Sequence, residues 1–417
     1  MNHFSFFVDS TPAAGVARNT TKGAETETQA VMQRPIFNEE HKVFRESARR
    51  FFAEHVTPYR EKFEQQGHVD RELWHKAGQM GFLCMTAPAQ YGGAEVDRKF
   101  PAVFLEEAAY AGQTGPGFWL HSDMASPYIA SYGSEDQKRT WLPQLIAGSK
   151  IMAIAMSEPG GGSNLAGIRT RAVRDGDDYI INGSKTFISN GWMADLVLVV
   201  AKTDPQAGAK GISLFLIESN TPGFNRGRLL NKLGMKAQDT AELYFEDMRV
   251  PKENMLGEEG QGFKYLMTEL AWERTQIAIQ AMAVIERAIT DAFTYTSERE
   301  VFGKPVASYQ NTQFKLADYM MDAKAGRLFV DDCIQKSADG VLDPVSAAMA
   351  KAWVTELEGR VLDGCLQLYG GYGFIWDFPI ARAYADARSQ RIVGGTNEIM
   401  RQIVARSMPQ IVTEYGL

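Results

Sequence analysis

Residues 262–299 read GFKYLMTELAWERTQIAIQAMAVIERAITDAFTYTSER, and their reading decides the fold. Leu266, Leu270, Ile277 and Val284 recur at helical spacing, which predicts one long helix with a buried stripe. Glu273 lies three residues after Leu270 and four before Ile277, so its carboxylate projects from that stripe. An unpaired carboxylate is costly to bury, and burial raises its pKa. Two readings are open: half of a buried ion pair, or a group tuned to accept a proton.

Helical periodicity continues downstream. NTQFKLADYMMDAKAGRLFVDDCIQ reads as one helix, Asp343 caps the next with Pro344 in its first turn, and a last helix follows Thr396. Upstream the character changes. AIAMSEP, YIINGSKTFIS, DLVLVVAKT, GISLFLIES and AELYFEDMRV are short β-branched or aromatic runs divided by Gly, Asp, Asn and Pro. They predict a compact antiparallel β unit over 151–258, the size of a small barrel or sandwich. Before it, Asn38 caps NEEHKVFRESARRFFAEHV, Asp70 opens DRELWHKAGQMGF, Pro101 starts PAVFLEEAAYAG, and SEDQKRTWLPQLIAG is bent or restarted at Pro143. Residues 1–35 hold few large apolar groups and read as a mobile tail. The expected class is α+β and multidomain: tail 1–35, helical domain 36–150, β domain 151–258, helical domain 259–417.

A chain of 417 residues can bury a large core. A net charge of -7 argues against a general nucleic-acid surface. No apolar run reaches the roughly 18 residues of a membrane span. Cys84, Cys333 and Cys365 lack metal-ligand spacing, so no metal is expected and the thiols read as reduced. A transit peptide has weak support, since Glu25 and Glu27 are present and arginine is sparse; a bacterial cytoplasm is favoured over the mitochondrial matrix. All six histidines lie at or before His121, which turns the search for an acid–base group on later helices towards carboxylates.

AMSEPGGGSNLAGIRTR, residues 155–171, holds a Gly-rich turn between strands whose backbone N–H groups can approach phosphates. It is neither a P-loop nor a dinucleotide fingerprint, and by itself it reads as a plain loop. Followed by NGSKTFISNG, it resembles the flavin loop of the acyl-CoA dehydrogenase family. The resemblance continues through ERTQIAIQAMAVIERA, YTSEREVFGKPVASYQNTQFKLADY, LQLYGGYGF and VGGTNEIMRQIVAR, and covers residues 36–417.

The resemblance implies N-terminal helices, a middle antiparallel β-barrel domain and a C-terminal four-helix bundle, assembled as a homotetramer that binds FAD. It places Met156, Ser157, Phe187, Ile188 and Ser189 along the isoalloxazine ring, and Gly162 and Ser163 at the pyrophosphate. Phe187 stands where the family usually has Trp, Ser189 where it often has Thr, and Asn164 where Asp is commoner. Arg299, Phe302 and Gln310 resemble residues that bind a neighbouring subunit's FAD, and Gln367, Gly370 and Gly371 the turn that holds its pyrophosphate and adenosine half. Thr396 and Glu398 belong to the same flavin-binding set. Read without the family, Arg299 is a solvated helix partner and Gly370–Gly371 a helix cap.

Many family members carry the base as the Glu of a Tyr-Glu-Gly-Thr segment, whereas here Val393-Gly394-Gly395-Thr396 has glycine in its place. Members similar to long-chain and isovaleryl-CoA dehydrogenases carry it on the helix after the β domain, and Glu273 matches that position. The implied reaction is α,β-dehydrogenation of a fatty acyl-CoA: Glu273 takes the α-proton, hydride passes to flavin N5, and a trans-2-enoyl-CoA leaves. The Gly394 backbone N–H is implied as an oxyanion donor, and Ser163, Arg274, Gly394 and Gly395 as substrate contacts. A glycine at 394 would also leave space into which Glu273 reaches from the opposite side. An electron-transferring flavoprotein is the implied acceptor. Straight long-chain and branched or terpenoid acyl groups both remain open. The rival classes are a flavin monooxygenase or oxidase on the same fold, and a non-enzymatic binding member.

Overall fold

Asn38 starts the first helix by a reciprocal bond pair: its Oδ1 accepts from His41 N at 3.1 Å, and its own N–H donates to His41 Nδ1 at 3.2 Å. The computed structural model describes residues 34–112 and 115–414. The tail expected over 1–35 therefore lies, apart from Arg34 and Pro35, outside the described residues. The first helices are α1 (Glu39–His55), α2 (Arg60–Gln66), α3 (Arg71–Gln79) and α4 (Lys99–Tyr110). A π-helical turn, Leu120–Ala125, then runs into α5 (Ser126–Tyr132). Sequence periodicity had not marked this segment. α6 (Glu135–Ile146) is capped by Ser134 and runs unbroken through Pro143, so the expected restart is absent.

The strands follow: β1 (Met152–Ala155), β2 (Arg171–Asp175), β3 (Asp178–Ser189), β4 (Leu196–Lys202), β5 (Ile212–Glu218), β6 (Phe224–Leu229), β7 (Thr240–Pro251) and β8 (Met255–Leu256). They pair in the order β6-β7-β3-β2-β4-β5-β8, with β1 on β4. Two features correct the antiparallel-barrel expectation. Among the described residues the path is open, with no pairing between β6 and β8. β1 also runs parallel to β4, and β2 meets β4 in parallel at Arg171 and Lys202. Alternation in sequence marks strands, but the choice of partner is a long-range packing outcome. β4 shows why its run is unbroken by polar residues: Leu196, Leu198 and Val200 face one core with Tyr128, Leu142 and Leu266, while Val197 and Val199 face another with Phe215, Leu243 and Phe245.

The chain then enters α7 (Gly262–Glu298), followed by the hairpin β9 (Glu300–Val301) and β10 (Lys304–Pro305). Helices α8 (Gln310–Ala338), α9 (Pro344–Tyr369), α10 (Pro379–Ala387) and α11 (Asn397–Glu414) complete it. Asp343 caps α9 as expected, its Oδ1 accepting from Val345 N at 3.0 Å and Ser346 N at 2.8 Å. α7 departs from a one-sided stripe. Residues 270–283 are all buried, because α7 packs against α4, α8 and α9. Among the described residues no helix is long and apolar enough to cross a membrane, no His, Cys, Asp or Glu cluster could hold a metal, and the three cysteines are free and buried.

Candidate active site

The enclosure of α7 puts Glu273 in the interior at 3% exposure. Its Oε1 accepts a bond from Tyr128 Oη at 3.1 Å. No salt bridge reaches the carboxylate among the described residues, so the buried-ion-pair reading falls. Burial pushes its pKa up to about 7; the Tyr128 bond opposes this, the charge of Glu269 adds to it, and Arg274 opposes it weakly. Glu269, one turn earlier, has its own tyrosine, Tyr132, at 3.0 Å. A carboxylate that titrates near neutrality and lacks a cationic partner suits proton abstraction.

The Gly394–Gly395 turn meets this helix. Arg274 Nε donates to Gly394 O at 3.4 Å, and burial lowers the arginine's pKa against the pull of Glu273. Gly394 has φ +66°, and a Cβ there would come within 2.5 Å of Ile277 Cδ1. The space expected beside Gly394 is therefore occupied by Ile277, one turn after Glu273. From the far side Lys351 Nζ donates to Gly395 O at 2.9 Å and to Asn397 Oδ1 at 2.8 Å. Thr396 Oγ1 accepts from Ile399 N at 3.4 Å at the start of α11, where Glu398 is exposed.

β1 delivers Met156 onto the apolar cluster that contains Tyr128, the hydrogen-bond partner of Glu273. Ser157 O accepts from Thr186 N at 3.0 Å, and Lys185 Nζ donates to Met156 O at 3.1 Å and Glu158 Oε1 at 2.9 Å. Glu158 also accepts from the backbone N–H groups of Arg169 and Thr170. The loop is thus stapled from beneath, while a Cβ at Gly160, Gly161 or Gly162 would meet nothing, so a ligand can approach its backbone closely. Ser163 is exposed above it. On β3 the register shifts between Lys185 and Ile188, and Phe187 sits at that bulge with φ +59° and 71% of its surface exposed. A strained backbone thus holds an aromatic face out of the sheet. Ile188 is buried and Ser189 half-buried on the same strand.

Arg299, Phe302, Gln310, Gln367, Gly370 and Gly371 form a second group at the other end of α7. Tyr295 and Tyr369 stack at 4.2 Å and bring the ends of α7 and α9 together. Gly370 N–H caps α9 on Gln367 O, Phe302 is 98% exposed with φ +50°, and Arg299, Gln310, Gln367 and Gly371 are exposed. From Glu273 to Arg299 the helix spans about 39 Å. Sequence reasoning missed Tyr128, Lys185, Glu158, Lys351 and Asn397. A lone lysine in the apolar run Ala347–Val354 was a usable signal for Lys351; Tyr128 gave none.

Models of the acyl-CoA dehydrogenase N-terminal, middle and C-terminal domains match residues 38–149, 153–248 and 260–408. The chain belongs to the acyl-CoA dehydrogenase family. It is 50% identical over 400 residues to the long-chain specific acyl-CoA dehydrogenase, mitochondrial, of Rattus norvegicus, covering 95% of this chain and 92% of that one. The crystal structure of an acyl-CoA dehydrogenase from Geobacillus kaustophilus matches with TM-score 0.88 and 46% identity over 89% of this chain and 98% of the other. A glutaryl-CoA dehydrogenase from Mycobacterium smegmatis, solved in complex with FADH2, matches with TM-score 0.84 and 30% identity over 91% and 97%.

Proposed function

We propose that this protein is an FAD-dependent dehydrogenase of long-chain acyl-CoA thioesters, with Glu273 as the base that removes the α-proton. The observation that carries the reading is a buried carboxylate with no cationic partner, on the helix one turn before Ile277, which meets Gly394. FAD, when bound, supplies the hydride acceptor; Met156, Ser157, Gly162, Ser163 and Phe187–Ser189 would hold its flavin and pyrophosphate, with Thr396 and Glu398 nearby. The Gly394 N–H would donate to the thioester carbonyl, and Arg274 and Gly395 would line the same pocket. Burial excludes water, which keeps Glu273 basic and strengthens the carbonyl's hydrogen bonds.

Arg299, Phe302, Gln310, Gln367, Gly370 and Gly371 lie too far along α7 to serve the same flavin ring, which supports their use on a second copy's FAD in a homotetramer. An electron-transferring flavoprotein is the acceptor in this reading. Anaerobic mixing of the FAD-loaded protein with palmitoyl-CoA should bleach the flavin; no bleaching by straight or branched acyl-CoAs would sink the proposal.

Two further outcomes follow. Lys185→Met removes the staple under the loop, and FAD retention on gel filtration should weaken about tenfold; unchanged flavin content would count against that role. In Glu273→Gln/Gly394→Glu, the left-handed backbone and Ile277 oppose the new side chain, so turnover should stay near that of Glu273→Gln. Adding Ile277→Ala should raise it by about tenfold. Full turnover in the double variant would show that the turn accepts a carboxylate freely.

A further inference from the structure

Lys351 is fully buried on α9, and its ammonium has no carboxylate partner at bonding distance among the salt bridges of the described residues. Burial lowers its pKa to about 8; Arg274 pushes the same way, and Glu398 and Glu356 push back. An interior cation of this kind is expensive. It makes two bonds, one to the Gly394–Gly395 turn itself, at Gly395 O (2.9 Å), and one to the residue that opens α11, at Asn397 Oδ1 (2.8 Å). Asn397 in turn donates to Ala352 O at 3.2 Å and Thr355 Oγ1 at 3.0 Å, which fixes the first residue of α11 onto α9. Arg274, from α7, holds the preceding carbonyl, Gly394 O.

Consecutive carbonyls of two glycines with φ +66° and +90° are therefore gripped from opposite helices. Glycines have no side chains to fix their orientation and many conformations open to them. The gripped carbonyls lie on the two peptides that follow the Gly394 N–H, so the grips act by fixing the Gly394 and Gly395 Cα positions from which that N–H is carried. A hydrogen bond aimed at a developing negative charge is worth much only when it is preorganised. We infer that Lys351 is a positioning residue that, together with Asn397, locks the Gly394–Gly395 turn so that the Gly394 N–H points at the thioester carbonyl. The inference rests on the dehydrogenase reading above and deepens it.

The test uses the FAD-loaded enzyme and three probes: palmitoyl-CoA, 3-thiapalmitoyl-CoA and S-hexadecyl-CoA. The third is a thioether with no carbonyl oxygen to receive the bond. Lys351→Met should lower kcat on palmitoyl-CoA by about tenfold to a hundredfold with KM within about threefold, as expected for a misaimed donor. Its affinity for 3-thiapalmitoyl-CoA should fall about tenfold or more, while that for S-hexadecyl-CoA stays put. Equal weakening of both analogues, or unchanged kcat, would overturn the role. Should Lys351→Met fail to hold FAD, Asn397→Ala keeps the ammonium but removes its mooring. It should show the same split between the analogues at about threefold to tenfold, and equal losses there would also overturn it. Failure of the wild-type flavin to bleach with palmitoyl-CoA is a different result, which removes the dehydrogenase reading itself.

Discussion

Glu273→Gln should retain FAD and bind acyl-CoA, yet lose about a thousandfold in kcat, within the range that a positioned base contributes. The substitution keeps the size of the side chain and an acceptor for Tyr128 Oη, so the loss reports the proton acceptor and not the packing. Stopped-flow reduction of the flavin measures it directly, and turnover within tenfold of wild type would overturn the assignment. Because the acid form cannot take a proton, wild-type kcat/KM should rise with pH through about 7. Stability should run the other way. The folded pKa of about 7 lies above the ordinary carboxylate value of 4.5, so between those values the folded state holds a proton that the unfolded chain has lost. Wild-type stability then falls as pH rises through that window, and above it Glu273→Gln should be the more stable protein by roughly 3 kcal/mol.

Arg327→Met should cost about 3–5 kcal/mol, the usual penalty for removing one partner of a buried ion network. Arg327 Nη1 donates to Glu106 Oε1 at 2.7 Å, and its Nε and Nη2 donate to Glu286 Oε1 and Oε2 at 2.8 and 2.6 Å. Burial opposes the arginine's charge, but Glu106 and Glu286 more than offset it and raise its pKa. Tyr110 donates to Glu286, and Arg45 Nη2 reaches Glu106 Oε2 at 2.8 Å, so α1, α4, α7 and α8 meet in one network. The urea midpoint should drop sharply in Arg327→Met. It should recover in a variant that also carries Glu106→Leu and Glu286→Met, since an apolar set of similar size often matches a buried ion network. A loss below about 1 kcal/mol would show that the network carries little stability.

The order helix, sheet, helix was legible in the sequence because each segment's apolar period is local. Glu273 was legible for the same reason: its spacing from Leu270 and Ile277 needs no knowledge of what lies opposite. The sequence by itself also determined that Gly394 offers a backbone N–H and no side chain. Tertiary structure alone decided that Tyr128, not a cation, faces Glu273, and that Ile277 fills the space beside Gly394. It alone set β1 parallel on β4 and brought Lys351 onto the carbonyl of Gly395. Those choices join residues 44 to 145 positions apart, where periodicity carries no information and only the mutual fit of packed faces selects the partner.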